Sequence, residues 1–348
     1  MIITLCNSIF SAIKDNDEST ISFLDDMITA RRNGFVSLLL SKKEILFLLN
    51  YSDFNSRQKA ILNFDKENAT YLNQELRVLS SSIKFYHSGY VDSSGDIDIS
   101  LYKEKIDSSS WYPLTKPFVI FENKDDDLVY RNILKWYFLE YVNNKNLHLS
   151  YEVLHGGGHT TAAVSEQALN CRLGVYAICD SDKKSPHSNI GSTARDAKTI
   201  FDSKNYSNNF LCIEAHEVEN LVPLTFHEEI ALDTQKTAIN FIKYAVTKES
   251  SSYLYYDFKE SIKLDLILSD TLCGNYWKNI ISNSKYDNKT KGQNGKIACK
   301  LSSLVKHSIK AFSESDLVYT DNESLRNEWS KIGEFLVPKV LASRPYKM

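Results

Sequence analysis

The rhythm of apolar and polar positions changes twice along the chain, and each change marks a different kind of structure. Over residues 1–112 helical and strand-like patterns mix. Residues 21–30 and 35–50 predict helices, the second apolar on nearly every side (Leu38, Leu39, Leu40, Ile45, Leu46, Leu48, Leu49) and therefore expected to be buried. Residues 83–90 and 97–102 alternate as strands do, with residues 92–96 as the turn between them. A serine run at 108–110, followed by Pro113 and Pro117, predicts a boundary.

From Pro117 the pattern becomes regular. Phe118–Phe121 predicts a short buried strand, residues 128–142 a helix and residues 149–154 a second strand. The turn His155-Gly-Gly-Gly-His159 leads into a helix that Thr160 or Thr161 can cap and that runs to about residue 170. Residues 174–179 predict a third strand, 192–203 a third helix and 209–213 a fourth strand. Alternating β and α units of this length predict a parallel sheet covered by helices. Functional groups in such sheets gather beyond the carboxyl ends of the strands. After Pro223 strand signals fade, and residues 228–247, 258–269, 298–312 and 324–341 read as helices. The predicted organisation is an N-terminal α/β region (1–112), a parallel α/β domain (113–225) and a helical C-terminal region (226–348), without internal repeats.

Composition adds limits. With 348 residues, 43% hydrophobic and 24% charged, the chain has the make-up of a globular protein with a sizeable core. No apolar run approaches the roughly 18 residues needed to span a bilayer, and residues 1–13 lack a basic leader and a cleavage site, so a cytoplasmic location is expected. Six scattered cysteines without a CxxC pair argue against structural zinc. Net charge is only −3, but residues 275–310 hold eight lysines and one acid, +7, against −10 on the rest of the chain. Within this stretch Lys278, Lys285, Lys289, Lys291 and Lys300 accompany Tyr276, Trp277 and Tyr286. Lysines that neutralise phosphates and aromatics that stack on bases suit nucleic-acid binding; the plainer alternative is a solvated basic loop with core aromatics. Residues 283–295 read as a flexible basic loop.

Carboxylates mark the ends of the predicted strands. Glu122 to Asp127 follow the first, Asp180 and Asp182 the third, and Glu214, Glu217 and Glu219 the fourth. Glu122 and Asp126 can face one cation across a strand-to-helix turn, and Asp180 and Asp182 share a face if the segment stays extended. Crowded carboxylates raise one another's pKa, and a divalent cation relieves the repulsion. Any one patch can merely cap a helix; several in register point to a shared site. The glycine turn at Gly156 to Gly158 allows either phosphate binding or a simple tight turn. His155 and His159, in a glycine turn, lack the helical face a zinc pair needs. GxxxxGK[ST] is absent, so the chain itself is not expected to hydrolyse ATP.

The order Val119-Ile-Phe-Glu122-Asn-Lys-Asp-Asp126, the glycine turn, Ile178-Cys-Asp180-Ser-Asp182 and His216-Glu-Val-Glu219-Asn-Leu221 resembles the Toprim domain of overcoming-lysogenization-defect (OLD) type nucleases and related bacterial antiphage effectors. The resemblance covers residues 115–225; Asn123 stands where that family's first motif has glycine. It implies a Toprim-like Rossmannoid sheet and a Mg²⁺- or Mn²⁺-dependent phosphodiesterase. By the same resemblance Glu122 is catalytic acid or base and metal ligand, Asp126, Asp180, Asp182 and Glu219 are further ligands, and Glu217 is the alternative to Glu219. A downstream lysine that stabilises transition-state charge falls on Lys296, in Gly295-Lys296-Ile-Ala. The resemblance further implies a DNA or RNA substrate, tRNA included, and control by an ATPase or sensor partner; a homo-oligomer is compatible. A non-catalytic Toprim-like module that binds nucleic acid or a regulator is the alternative. Primase or topoisomerase chemistry is a third, without the zinc ribbon a primase would add.

Overall fold

The computed structural model describes residues 1–51, 53–78, 82–90, 95–108, 110, 114–269, 271–287, 298–316 and 319–346. Strands are numbered in chain order: β1 (Ile2–Leu5), β2 (Ser37–Leu38), β3 (Ile83–Tyr86), β4 (Ile97–Asp98), β5 (Phe118–Phe121), β6 (Leu147–Leu149), β7 (Glu152–His155), β8 (Val175–Cys179), β9 (Phe210–Cys212) and β10 (Leu341–Ser343). They form two parallel four-stranded sheets, ordered β2-β1-β3-β4 and β7-β5-β8-β9, and an antiparallel β10-β6 pair. Helices flank both sheets. The protein is thus α/β with a helical C-terminal region.

All five residues of β8 are buried, as befits a parallel strand covered on both faces. Side-chain alternation divides the second sheet between two cores. Val119, Phe121, Tyr176 and Ile178 pack with Val129 and Tyr130 of the helix Asp126–Tyr137 and with Trp329 and Ile332 of the helix Glu323–Val340. On the other face Ile120, Val175 and Ala177 meet Ala168, Leu169 and Phe201, from the helices Thr161–Cys171 and Ser192–Ser203. The first of these cores continues without a break into the C-terminal helices Lys236–Lys248, Leu272–Ile281 and Ser302–Glu314. The N-terminal sheet has a core of its own. β10 bridges the two regions: it pairs with β6, Ser343 Oγ lies 3.0 Å from Ser37 Oγ, and Arg31 Nη1 donates to Arg344 O at 3.1 Å.

Several local expectations fail for identifiable reasons. Residues 35–50 are not one helix. Ser37–Leu38 joins the first sheet, and the helix Lys42–Leu49 starts only after Ser41, whose N–H donates to Glu44 Oε2 (2.6 Å) while its Oγ accepts the Glu44 N–H (3.2 Å). Leu46 is 48% exposed, so the helix is one-sided. β3 and β4 pair in parallel, not as a hairpin; the turn expected at 92–96, like the boundary at 108–113, lies partly outside the described residues. The strand expected at 149–154 is two strands, broken at buried Ser150, whose N–H donates to Val340 O at 2.8 Å. Residues 231–235 divide the helix expected at 228–247 into Leu224–Ile230 and Lys236–Lys248, and of 258–269 only Leu264–Leu268 is helical. Among the described residues no helix is long and apolar enough to cross a membrane.

Candidate metal centre

β5, β8 and β9 lie side by side and end at one edge of the sheet, with Phe121 opposite Ile178 and Cys179 opposite Cys212. Residues following those ends are therefore brought together. Glu122 Oε1 accepts the Asp180 N–H at 3.1 Å, so its carboxylate leans from one strand end to the next. The glycine turn holds the Glu122 backbone from the other side. Gly157 and Gly158 donate to Glu122 O at 2.9 and 3.2 Å, and Gly156 donates to Phe121 O at 2.8 Å. Gly157 and Gly158 have φ of 72° and 61°, and a β-carbon on Gly156 would stand 2.2 Å from Thr161 Oγ1. The turn's N–H groups are thus spent on positioning Glu122, which favours the tight-turn role over a phosphate cradle. Thr160 and Thr161 do not cap the helix: their hydroxyls donate backwards, to Gly156 O and to Gly158 O.

Asp126 opens its helix only 4% exposed, and its Oδ2 accepts the Asn123 N–H at 2.8 Å, closing the strand-to-helix turn. Asp180 is 7% exposed. Asp182 departs from expectation. Its φ of 55° ends the extended segment, so the simple rule that alternate residues share a face does not apply to it and Asp180. Its N–H donates to His216 O (2.9 Å), and its carboxylate rests on Gly191, where a β-carbon would stand 1.9 Å from Oδ2.

Glu217 and Glu219 arrive on the short 3₁₀ turn Val218–Leu221 beyond β9. Asn220 pins this turn by donating to Tyr253 O (2.7 Å) and Tyr256 O (2.8 Å) and by accepting the Glu217 N–H (3.1 Å). Lys259 Nζ joins both acids, 3.1 Å from Glu217 Oε1 and 2.9 Å from Glu219 Oε1. Two other acids are engaged elsewhere. Asp127 pairs with Arg131 and accepts from Tyr151 OH, and Glu214 binds Lys183 Nζ (3.0 and 2.9 Å) and Tyr255 OH (2.7 Å).

Six carboxylates are thus linked by their charges: Asp182 and Glu217 act on Glu122, Glu122 and Glu219 on Asp126, and Asp126, Glu122, Glu219 and Glu217 on Asp180, while the Lys259 ammonium meets Glu217 and Glu219 and acts on Asp126. Burial, then the charges of Asp182 and Glu217, push the Glu122 carboxyl up to about 7, against the opposing Asp180 N–H. Burial, then Glu219 and Glu122, push Asp126 up to about 7, against the Asn123 N–H and Lys259. Burial, then Asp126, Glu122, Glu219 and Glu217, hold Asp180 well above its ordinary value. Glu217 is raised by burial and by Glu219. Burial pulls the Lys259 ammonium down, but Glu219 and Glu217 outweigh it and hold it above its ordinary value. The Oε2 atoms of Glu217 and Glu219 are buried without a hydrogen-bond partner. An all-oxygen donor set with this excess of negative charge fits Mg²⁺ or Mn²⁺.

The predicted ligands interact without closing on one point. Among the described residues, the group of three whose ligand atoms all lie within 4.8 Å of one another is His216, Glu217 and Asp257, rather than any drawn from Glu122, Asp126, Asp180 and Asp182. His216 opens the run His216-Glu-Val-Glu219 without a ligand role there, and Asp257 and Lys259 lie outside the sequence pattern. No periodicity or strand end announces the loop that carries Asp257 and Lys259.

The basic stretch divides as well. Trp277 is fully buried and Tyr286 is 3% exposed, so both are core residues and not stacking platforms. Trp277 Nε1 donates to Lys184 O at 2.6 Å, which sets the helix Leu272–Ile281, with exposed Lys278, beside the loop following Asp182. Lys285 is exposed and lies over the Tyr286 ring (5.2 Å), and Lys300 pairs with Glu260. Lys289, Lys291 and Lys296 lie outside the described residues. No protein-family model matches the chain, and neither a curated protein nor a solved structure matches it.

Proposed function

We propose that this chain is a Mg²⁺- or Mn²⁺-dependent nuclease whose catalytic domain, residues 113–225, is Toprim-like. One observation carries the proposal: six carboxylates, linked to one another through their charges and met by the Lys259 ammonium at Glu217 and Glu219, stand beyond the adjacent ends of three parallel strands. Glu122, Asp126, Asp180, Asp182 and Glu219 would hold the ions. Bound there, such ions supply an activated water and stabilise charge on the leaving oxygen.

The chain's own groups suit that work. In the metal-free chain burial and neighbouring charges hold the Glu122 proton up to about 7 while its Oε1 is fixed by the Asp180 N–H; a bound ion would draw that value down and leave the carboxylate charged, as a ligand or a base must be. Lys259 belongs to the cluster and has a side chain 46% exposed, so it can meet a phosphate oxygen; it takes the role that the sequence motif offered to Lys296. Lys278 and Lys285, with the lysines that follow them, retain a polyanionic substrate. The setting that fits is an antiphage effector under the control of a separate ATPase or sensor, acting on DNA or on RNA such as tRNA.

The test is incubation of the purified protein with plasmid, single-stranded DNA and total tRNA, in Mn²⁺ or in EDTA. Cleavage of at least one substrate in Mn²⁺ alone is expected, lost in Glu122→Ala and in Asp180→Ala; cleavage retained by both variants rejects the site. One observation favours a second reading, a non-catalytic Toprim-like module: the predicted ligands do not lie within joint reach of one ion. Nucleic-acid binding without cleavage in Mn²⁺ selects that reading.

A further inference from the structure

We infer that His216, Glu217 and Asp257 form a second cation site, which shares Glu217 with the all-oxygen cluster and, through the His216 imidazole, is suited to a divalent transition metal. The inference does not depend on the nuclease proposal. One ligand atom from each residue lies within 4.8 Å of the other two. His216 Nε2 and Asp257 Oδ2 are 3.6 Å apart, close to the about 3.4 Å that separates two ligands of one tetrahedral ion. The His216 side chain is only 6% exposed, and Glu217 Oε2, next in the chain, is buried without a hydrogen-bond partner. Buried polar atoms normally find partners, and an orphaned carboxylate oxygen beside the His216–Asp257 pair points to something that this loop is built to bind.

An imidazole with two carboxylates selects Zn²⁺, Mn²⁺ or Fe²⁺ over Mg²⁺ and Ca²⁺, which prefer oxygen alone. Three protein ligands leave positions open for water or another group. The backbone keeps the three in place: the His216 N–H donates to Leu254 O (2.7 Å), Asn220 fixes Glu217, and Asp257 Oδ1 accepts the Glu260 N–H (2.5 Å). Competitors are also present: Lys259 Nζ lies 3.1 Å from Glu217 Oε1 and leaves Oε2 to meet an ion. Lys184 Nζ donates to Asp257 Oδ2 at 3.2 Å, but its side chain is 42% exposed and can swing into solvent when an ion enters. An ion here would clamp the loop carrying Glu217 and Glu219 to the segment carrying Lys259, and so set the geometry of the neighbouring cluster.

Titration of the metal-free full chain with Co²⁺, followed by visible absorption and then displaced by Zn²⁺, tests this. Wild type is expected to develop the d–d bands of a nitrogen- and oxygen-ligated ion. His216→Ala should lose them, and Asp180→Asn, which changes no ligand of this site, should keep them. Lys184→Ala, which removes one competitor without changing a ligand, should tighten Co²⁺ binding on the order of tenfold. Absence of the bands in wild type, their persistence in His216→Ala, or unchanged or weaker binding in Lys184→Ala would overturn the site.

Discussion

Glu122→Gln is expected to make the metal-free protein more stable. Glutamine keeps the volume and the acceptor for the Asp180 N–H and removes only the charge. In the folded chain Glu122 holds its proton up to about 7, whereas its ordinary value is 4.5. A carboxyl raised in this way leaves the folded state with more bound protons than the unfolded state. Wild-type stability therefore falls as pH climbs from 4.5 to about 7, and the full loss is present above that range. At 1.36 kcal/mol per pH unit the gap corresponds to about 3 kcal/mol. Partial exposure of Glu122 and screening by solvent reduce this to about 1–2 kcal/mol, or a rise of roughly 2–4 °C in melting temperature for a chain of this size. The assay is thermal unfolding in EDTA near pH 8 and near pH 5. The advantage of Glu122→Gln should be present at the higher pH and nearly vanish at the lower, where wild-type Glu122 is already protonated. A variant that melts at or below wild type near pH 8 refutes the claim that charge crowding governs this residue.

Other perturbations test the frame around the site. Asp65→Ala leaves the buried Arg31 guanidinium without its paired carboxylate (contacts of 2.6 and 2.9 Å) and should cost about 3–5 kcal/mol in urea unfolding. Gly333→Ala places a β-carbon 2.1 Å from the Tyr137 ring, between the helices Asp126–Tyr137 and Glu323–Val340. A loss of about 1–3 kcal/mol is expected there by the same measurement. Gly191→Ala drives the movable Asp182 carboxylate from its seat, so calorimetry should show Mn²⁺ affinity reduced by about tenfold with the melting temperature nearly unchanged.

How much of this was readable beforehand depends on the kind of interaction involved. β5, β8, β9 and the helix Ser192–Ser203 were legible because each is an uninterrupted local pattern, and in the three strands a carboxylate follows the apolar run within a few residues. Parallel pairing then carries Glu122 to Asp180 without further information. The misread helix at 35–50 contained its own correction, since Ser41-Lys-Lys-Glu44 is a capping-box spelling set inside an apolar stretch. The helix Ser56–Val78 gave little signal, because Asn63, Asp65, Lys66, Glu67 and Asn68 interrupt its apolar positions. Trp277 and Tyr286 were open to two uses, and burial in the core took both. Lys259, Asp257 and the ligand role of His216 were beyond reach for another reason. Their roles exist only where two loops distant in sequence face each other, and no local spacing encodes that encounter.

The most direct test of the central claim is anomalous diffraction from crystals soaked in Mn²⁺. Density bridging Glu122, Asp126 and Asp180, with the carboxylates drawn together around it, is the expected result. Fully occupied density elsewhere while those three side chains stay apart, or no anomalous peak among them at millimolar Mn²⁺, would contradict it.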